Sequence, residues 1–324
     1  MNYRILGKTG IRVSEIGFGA WAIGSHWGTQ NVSDSIEALE KSLDLGLNFI
    51  DTALVYGNGK SEQIIAEVLK ERREEVTVAT KIPPADGKWP PSPYCKAEER
   101  FSEEYIRSSV DTCRKNLDTD CIDILQLHTW TRAWNRNPKP IEILHKLKEE
   151  GIIKHIGVST PEHDQNSLIY LMKEGYLDTV QVIYNIFEQE PAAELLPVAL
   201  DSNVGVIVRV AFDEGILTGK YQEDHLFPKD DFRSKYFEGD RLPRAVNRVE
   251  QIKTKLEGSD YSMPQAALKF VLNHPAVSTV ITGIRNEDQA AQNMEVSDIE
   301  DIPEALLTEL QEHTWLRSFW YSGK

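Results

Sequence analysis

The stretch Asn48-Phe49-Ile50-Asp51-Thr52-Ala53-Leu54-Val55-Tyr56-Gly57 decides the fold of this chain. Its apolar run ends on the carboxylate Asp51, and Tyr56 follows on what must be a loop. Two other short apolar runs also end on a polar residue, with Lys81 near the end of residues 76–82 and His128 at the end of residues 122–128. The carboxyl ends of parallel strands share the edge of an α/β sheet or barrel where chemistry is done. The sequence therefore predicts these four polar side chains at one such edge.

Strand-like runs alternate with helical ones along the whole chain. The predicted strands cover residues 16–20, 49–51, 76–82, 122–128, 156–159, 180–184, 206–210 and 280–283. Their near-continuous apolar character is typical of parallel strands buried on both faces. This pattern predicts an α/β fold, a (β/α)₈ TIM barrel, as a single domain over residues 1–324. A short N-terminal β-hairpin around Thr9-Gly10 should close the far end of the barrel, and an extra C-terminal helix is expected near residues 304–313.

Composition narrows the classes of protein that this chain can be. A formal net charge of −15 argues against a nucleic-acid surface, which needs clustered lysine and arginine. We find no apolar run long enough for a membrane span and no secretory apolar region at the N-terminus. The cysteines Cys95, Cys113 and Cys121 are odd in number and lack CxxC spacing. We therefore expect a cytoplasmic protein with reduced thiols, no metal site, no nucleic acid and no membrane as partner.

The four polar residues at the predicted edge are suited to proton transfer. A free tyrosine has a pKa of about 10, and a lysine ammonium nearby lowers that pKa because it stabilises the phenolate. Asp51 would supply the counter-charge that a buried Lys81 needs, and His128 could donate a hydrogen bond to a carbonyl oxygen. Each residue alone also has a purely structural interpretation. Together they would protonate an oxyanion as it forms, with electrons supplied by another group.

Several motifs, taken together, resemble the aldo-keto reductases over essentially the whole chain. They are Leu6-Gly7-Lys8-Thr9-Gly10 with Val13-Ser14, Gly17-Phe18-Gly19-Ala20-Trp21, Asp51-Thr52-Ala53 with Tyr56-Gly57 and Ser61-Glu62, Lys81, His128, Gly157-Val158-Ser159, and Gly215-Ile216-Leu217-Thr218-Gly219-Lys220. Long connections at residues 83–101 and 213–244 are similar to those of the long-loop bacterial-type branch. The resemblance implies a barrel that binds NADPH/NADP⁺ and reduces a small-molecule carbonyl substrate.

The resemblance also implies a role for each matching residue. Tyr56 would be the general acid, Lys81 and Asp51 its tuning partners, and His128 the residue that orients the carbonyl group. The implied cofactor-binding residues are Ala20, Trp21, Asp51, Ser159, Gln181, Arg209, Val210, Phe212, Gly215, Lys220, Arg233, Gly283, Arg285, Gln289 and Asn293. Ser159 and Gln181 would hydrogen-bond the nicotinamide carboxamide, and Arg285 would hold the 2′-phosphate, because a guanidinium suits a dianion. Arg233 also has a plainer interpretation, a solvated loop charge.

The chain departs from the family pattern at several cofactor positions, and Val210-Ala211-Phe212 stands where Ser-Pro-Leu is usual. Two other departures concern the nicotinamide. Thr160 follows Gly157-Val158-Ser159 where the family commonly has asparagine, and Arg209 stands where an aromatic ring commonly stacks on the nicotinamide. A guanidinium plane can also stack on a flat ring, but its charge disfavours the cationic, oxidised nicotinamide. We therefore predict that NADP⁺ binds more weakly than NADPH.

Tryptophans just beyond the strand tips are candidate walls of the substrate pocket. The predicted pocket residues are Trp21, Trp89 and Trp130, with further rim aromatics at Tyr94, Trp134, Trp315, Phe319, Trp320 and Tyr321. Such walls suit a flat or apolar carbonyl compound. Two other classes of function stay open at this point: a lyase in which Lys81 forms a Schiff base, and a non-catalytic regulatory subunit that binds NADPH.

Overall fold

A computed structural model describes residues 1–24 and 31–315 of the chain. It opens with an antiparallel hairpin of β1 (Tyr3–Ile5) and β2 (Arg12–Ser14). The following strands are β3 (Ile16–Gly19), β4 (Phe49–Asp51), β5 (Thr77–Ile82), β6 (Ile122–Leu127), β7 (Ile153–Ser159), β8 (Thr179–Ile183), β9 (Gly205–Arg209) and β10 (Val277–Gly283). They pair in parallel in chain order, and β10 pairs with both β9 and β3, which closes the barrel. The predicted (β/α)₈ TIM barrel is confirmed.

Helices of very different length connect the strands. They are α1 (Trp21–Gly24), α2 (Val32–Asp44), α3 (Lys60–Leu69), α4 (Ala97–Arg100), α5 (Glu103–Asn116), α6 (Lys139–Glu149), α7 (Ile169–Lys173), α8 (Leu195–Asp201), α9 (Arg233–Tyr236), α10 (Arg241–Leu256), α11 (Met263–Leu272), α12 (Glu287–Glu295) and α13 (Glu304–Gln311). The last of these is the extra C-terminal helix that the sequence predicts. The Ser102 side chain caps α5 by accepting from the Tyr105 amide at 3.1 Å, as an N-cap serine does.

The hairpin closes the amino end of the barrel, as predicted. Leu6 and Val13 are fully buried in one cluster with Phe49, Ala79, Ile124, Ile207 and Ile281, side chains of the barrel strands. A bridge between Gly7 and Val204 ties the hairpin to the residue just before β9. The strand ends that carry polar residues therefore lie at the opposite, open end of the barrel.

The two long connections predicted at residues 83–101 and 213–244 both leave the carboxyl ends of strands. The first follows β5 and contains α4, and the second follows β9 and contains α9. Around the barrel, one continuous hydrophobic core of described residues extends from Ile16 to Leu310. The single domain over residues 1–324 stays a prediction, and this shared core is consistent with it.

Candidate active site

A buried ion pair lies at the carboxyl ends of β4 and β5. The Lys81 ammonium donates to Oδ2 of Asp51 at 2.5 Å and to the Thr52 carbonyl at 2.9 Å. Lys81 has no exposed surface and Asp51 is 2% exposed. Since a buried charge requires a partner, each residue of this pair compensates the buried charge of the other.

Tyr56 is brought to this pair by a tight turn after β4. Its amide donates to the Ala53 carbonyl at 3.0 Å, and the Ser61 amide donates to the Tyr56 carbonyl at 3.2 Å. Gly57 follows with a φ of 62°, and a Cβ there would lie 2.3 Å from the Gly24 carbonyl oxygen. Only glycine fits this left-handed position, so the Tyr56-Gly57 pair of the sequence has a local physical reason.

The pKa of Tyr56 differs from the expectation. Removal of the phenol from water raises its pKa, the Lys81 charge and hydrogen bond lower it, and Asp51 raises it again. Burial outweighs the ammonium, so the pKa lies above the ordinary value of a tyrosine. Lys81 thus lowers the pKa of Tyr56 as the sequence predicts, but the effect of burial, which the sequence does not show, is larger. At neutral pH, Tyr56 keeps the proton that a general acid must give.

His128 lies directly after β6 and contacts two aromatic rings. Its ring centroid is 5.8 Å from that of Tyr56 and 5.0 Å from that of Trp89, with edge-on geometry in both pairs. Burial, together with the charges of Lys81 and Arg209, holds the pKa of His128 well below its usual range. The imidazole is therefore neutral near pH 7 and can act as a hydrogen-bond donor without adding charge.

The second oxygen of Asp51 accepts from two glutamine amides. Gln181 donates through Nε2 to Oδ1 at 2.7 Å, and Gln126 donates to the same oxygen at 3.1 Å. The sequence predicts Gln181 as a contact of the nicotinamide carboxamide; in this structure its amide contacts Asp51. Gln126 is absent from the predicted site. Its only signal is a polar residue within the apolar strand that leads to His128.

A cavity of about 720 Å³ opens above these residues at the carboxyl end of the barrel. Seventeen of the predicted site residues line it: Trp21, Asp51, Tyr56, Trp89, His128, Ser159, Gln181, Arg209, Val210, Phe212, Gly215, Lys220, Arg233, Gly283, Arg285, Gln289 and Asn293. Lining residues that the sequence reasoning missed include Thr129, Glu162, Glu214, Phe232 and Thr282. Phe232 contacts Trp21 edge-on, with ring centroids 6.1 Å apart. The long connection after β9 therefore contacts the residue that follows β3.

Three predicted site residues do not line the cavity. Lys81 lies beneath it, in the ion pair with Asp51. Ala20 is buried, and its amide donates to the Asp51 carbonyl at 2.9 Å, so its contact is with the neighbouring strand. Trp130 is fully buried, and its indole donates to Asn135 at 2.7 Å.

The role predicted for Trp130 as a pocket wall is therefore corrected. Its ring packs edge-on against Trp134 at 5.2 Å, inside the core. Trp21 and Trp89 do line the cavity and are 37% and 43% exposed. Of the other predicted rim aromatics, Phe319, Trp320 and Tyr321 lie outside the described residues.

Cationic side chains line another part of the cavity. Arg233 is 8% exposed. It donates to both oxygens of Asp231 and, at 2.7 Å, to the Tyr221 hydroxyl. The Arg233 guanidinium is therefore buried and hydrogen-bonded, and the interpretation as a solvated loop charge is wrong. Burial, together with the charges of Arg233 and Arg285, lowers the pKa of Lys220. These cations repel one another, and an anion bound between them would relieve that repulsion.

The N-terminus of α12 lies at this cationic part. The Asn286 side chain caps the helix by accepting from the Gln289 amide at 2.9 Å. The Gln289 side chain in turn accepts from the Arg285 amide at 3.0 Å. Gln289, predicted to contact the cofactor, thus also fixes the backbone of Arg285. Asn293, one helical turn further on, donates to the Thr282 hydroxyl at 3.2 Å.

The segment after β9 has an unusual backbone. Val210, Asp213 and Glu214 have φ values of 60°, 40° and 57°, in the left-handed region that non-glycine residues rarely adopt. Asn185 donates to the Val210 carbonyl at 2.8 Å, and the Tyr236 hydroxyl donates to Asp213 at 2.7 Å. These bonds hold a strained loop against the cavity, and the bond from Tyr236 satisfies the buried carboxylate of Asp213.

Arg209 ends β9 with its guanidinium tethered. Its Nη2 donates to the Thr160 carbonyl at 3.0 Å, and its Nη1 lies 4.0 Å from a Glu162 oxygen. Its charge reaches both Tyr56 and His128, since it lowers the pKa of each. The departure noted in the sequence therefore places a second cation beside Tyr56 and His128.

Among residues 1–24 and 31–315, no group of three or more His, Cys, Asp and Glu side chains could hold a metal ion. Within the same ranges, none of the helices has the length and apolar character that crossing a membrane requires.

The chain belongs to the aldo/keto reductase family, whose model matches residues 15–314. It is 32% identical over 304 residues to the aldo-keto reductase YhdN of Bacillus subtilis, covering 92% of this chain and 89% of that protein. It is 28% identical over 328 residues to the NADH-specific methylglyoxal reductase of Escherichia coli, covering 95% and 97%. The solved glycerol dehydrogenase AKR11B4 from Gluconobacter oxydans has a TM-score of 0.80 at 26% identity, covering 96% and 94%. The resemblance in the motifs is confirmed, and the protein is an oxidoreductase of this family.

Proposed function

We propose that this protein reduces an aldehyde or ketone to an alcohol, with NADPH as the reductant and Tyr56 as the proton donor. The observation that carries the proposal is one cavity that joins two chemically different parts. One part holds the protonated phenol beside a buried ammonium, and the other holds a cluster of cations. We also propose a cytoplasmic location, which the free state of all three cysteines supports.

The residues of the cavity fit a phosphorylated dinucleotide. Its volume of about 720 Å³ is within the range of ligand pockets, about 300–1,000 Å³. Lys220, Arg233 and Arg285 would hold the phosphates, because clustered cations favour a polyanion. Ser159, which is buried and lines the cavity, would hold the nicotinamide carboxamide. A reduced nicotinamide, when bound, supplies a hydride to the carbonyl carbon.

The chain itself supplies the proton. As negative charge develops on the carbonyl oxygen, the O–H bond of Tyr56 breaks and the proton passes to that oxygen. The phenolate that remains is stabilised by the Lys81 ammonium, which already lowers the pKa of Tyr56 against the effect of burial. Asp51 holds that ammonium in place. The raised pKa thus keeps Tyr56 protonated before the proton transfer, and the Lys81 charge stabilises the phenolate after it.

His128 would orient the substrate. Because its pKa is held well below the usual range, it presents a neutral ring to the carbonyl oxygen near Tyr56. Trp89 packs edge-on against the imidazole, with ring centroids 5.0 Å apart. Trp21 and Trp89 would form the walls against which a flat or apolar substrate packs.

The position of Lys81 counts against the lyase alternative. A Schiff base requires the amine to reach the substrate carbonyl and to lose its proton. Lys81 does not line the cavity, and its ammonium is occupied by Asp51 and the Thr52 carbonyl. Borohydride trapping with carbonyl substrates should therefore leave Lys81 unlabelled.

Oxidation of NADPH in the presence of a panel of aldehydes and ketones tests the proposed function. We expect turnover by the native protein and a loss of kcat of about 100-fold or more in Tyr56→Phe, which keeps the ring and removes the proton. Binding of NADPH to the variant, followed by fluorescence, should be unchanged within about twofold. Binding without turnover of any substrate in the native protein would favour the regulatory-subunit alternative.

The choice of NADPH over NADH is tested at Arg285. One relative is named as NADH-specific, so the preference must come from this chain's own residues. Arg285→Ala should raise the KM for NADPH by about tenfold or more, as expected for a charged hydrogen bond, and leave the KM for NADH nearly unchanged. Arg72→Ala, which removes an exposed arginine paired with Asp44, is the matched control. Equal effects on the two cofactors would refute the assignment.

A further inference from the structure

The carboxylate at the centre of the site has more donors than its pairing with lysine requires. Asp51 receives Lys81 on one oxygen and the amides of Gln126 and Gln181 on the other. Resting on the proposed function of this site, we propose that Gln126 is a positioning residue that holds the Asp51 carboxylate toward Lys81, whether or not a cofactor is bound.

The two glutamines differ in their access to a ligand. Gln181 lines the cavity, so its amide can be drawn toward a bound cofactor. Gln126 has no exposed surface and does not line the cavity. When Gln181 turns to a ligand, Gln126 remains as the amide on Asp51. Its contribution is therefore independent of the state of the cavity.

The space for Gln126 is provided by the neighbouring strand. A Cβ at Gly157 in β7 would lie 2.9 Å from Cγ of Gln126, closer than real Cβ contacts come. A side chain at position 157 would therefore displace the glutamine. The glycine of the Gly157-Val158-Ser159 motif thus has a packing reason that connects it to the proton-donating residues.

The orientation of the Gln126 amide is set by the charge of Asp51. Nε2 donates to the carboxylate, whereas Oε1 has no hydrogen-bond partner among the described residues. The reverse orientation would place the amide oxygen against the carboxylate oxygen. A buried acceptor without a hydrogen bond is costly. The unpaired Oε1 of Gln126 therefore indicates that the bond from Nε2 to Asp51 determines how the side chain is placed.

The consequence for proton transfer follows from the charges around the phenol. Beyond the dominant effect of burial, Lys81 lowers the pKa of Tyr56 and Asp51 raises it. An N–H on Asp51 disperses part of the carboxylate charge. Removal of Gln126 should therefore let Asp51 act more strongly on Lys81 and on the phenol, and the pKa of Tyr56 should rise further.

Kinetics of Gln126→Met, which keeps the side-chain size and removes the donor, test the proposal. We expect kcat to fall about tenfold, as for the loss of an outer partner of a functional group, with the KM for NADPH within about twofold of native. The alkaline limb of kcat should move to higher pH. Gln181→Met should instead raise the KM for NADPH. Thr179→Val is the control, because this buried hydroxyl in the same barrel interior has no partner among the described residues.

The variant Gln126→Glu and a direct measurement of the Tyr56 pKa test the same proposal independently. Gln126→Glu has the same shape and donates to Asp51 only when protonated, so its kcat should recover as the pH falls. Tyr56 phenolate formation, measured by absorbance after a pH jump and corrected with Tyr56→Phe, needs no turnover. Its pKa should rise in Gln126→Met. An unchanged kcat profile and an unchanged phenol pKa would overturn the proposal. Inactivity of the native protein would overturn only the proposed function.

Discussion

Replacement of Lys81 by methionine is the perturbation that probes the site most directly. The substitution keeps the length of the side chain and removes the ammonium that donates to Asp51 at 2.5 Å and to the Thr52 carbonyl at 2.9 Å. Breaking a buried ion pair by removing one partner costs about 3–5 kcal/mol, because a buried charge is left uncompensated. Asp51 keeps its two amide donors. We therefore expect the free energy of unfolding to fall by about 3 kcal/mol, the lower end of that range.

The kcat of Lys81→Met should fall by more than the loss of folded protein alone would cause. Without the ammonium, the largest of the effects that lower the pKa of Tyr56 is lost, and only the smaller effect of the Arg209 charge still favours the developing phenolate. Loss of one preorganised electrostatic partner of a transition state lowers kcat by about 100- to 1,000-fold. The variant should therefore be folded at 25 °C and nearly inactive with NADPH and any aldehyde that the native protein reduces.

Urea unfolding and steady-state kinetics measure the two effects separately. Lys148→Met is the matched control, since Lys148 pairs with Asp178 at 2.6 Å at the amino end of the barrel; it should keep native kcat. The double variant Lys81→Met/Asp51→Asn removes both charges and should regain about half of the lost stability, because replacing a buried pair costs less than breaking it. A single variant as stable as the native protein, or a double variant less stable than the single one, would refute the reasoning.

Three further predictions concern pH and cofactor charge. Because the pKa of His128 is held well below its usual range, kcat should show no limb from this residue near pH 6.5; a limb there that disappears in His128→Gln would contradict the assignment. Arg209 should make NADP⁺ bind more weakly than NADPH, by only about fivefold because Glu162 lies 4.0 Å from the guanidinium and partly offsets its charge. In titrations, the ratio of the NADP⁺ and NADPH dissociation constants should fall toward one in Arg209→Gln and be preserved in Arg209→Lys. Tighter binding of NADP⁺ than of NADPH to the native protein would refute this role of Arg209. Burial alone raises the pKa of Asp178, but hydrogen bonds from Lys148 and the Ile156 amide, with the His155 ring 3.7 Å away, hold it well below its usual range. The stabilisation from Asp178 is thus present above pH 4 and is lost as the pH falls through the lowered pKa, so Asp178→Asn should be less stable than native at pH 7 and the gap should narrow on acidification.

Most of the barrel is predictable because its signals are local. Strand β4 has the predicted bounds, and the other strand ends lie within a few residues of the prediction, since apolar runs and turn residues are read directly from the chain. The start of α2 shows where such local signals end. Asn31 caps the helix by accepting from the Ser33 amide at 3.3 Å, although Ser33 is itself of a residue type that caps helices. Both residues are good caps, so their local preference alone does not decide between them.

The candidate site is predictable in its members and less so in their surroundings. Motif spacing brings Asp51, Lys81 and His128 to consecutive strand ends, and the structure places them there. Gln126 escapes prediction because its bond to Asp51 joins residues 75 positions apart in the chain. Trp130 is misassigned because a tryptophan after a strand can face either the cavity or the core. Its hydrogen bond to Asn135 and its contact with Trp134 decide for the core.

The sequence by itself determined the order of strands and helices, the residues at each strand end and the family to which they belong, because these depend on spacing along the chain. The sign of the shift in the pKa of Tyr56 was decided only by the tertiary structure. Desolvation depends on how many atoms from distant segments exclude water from the phenol, and this burial outweighs the Lys81 ammonium that the motif places beside it.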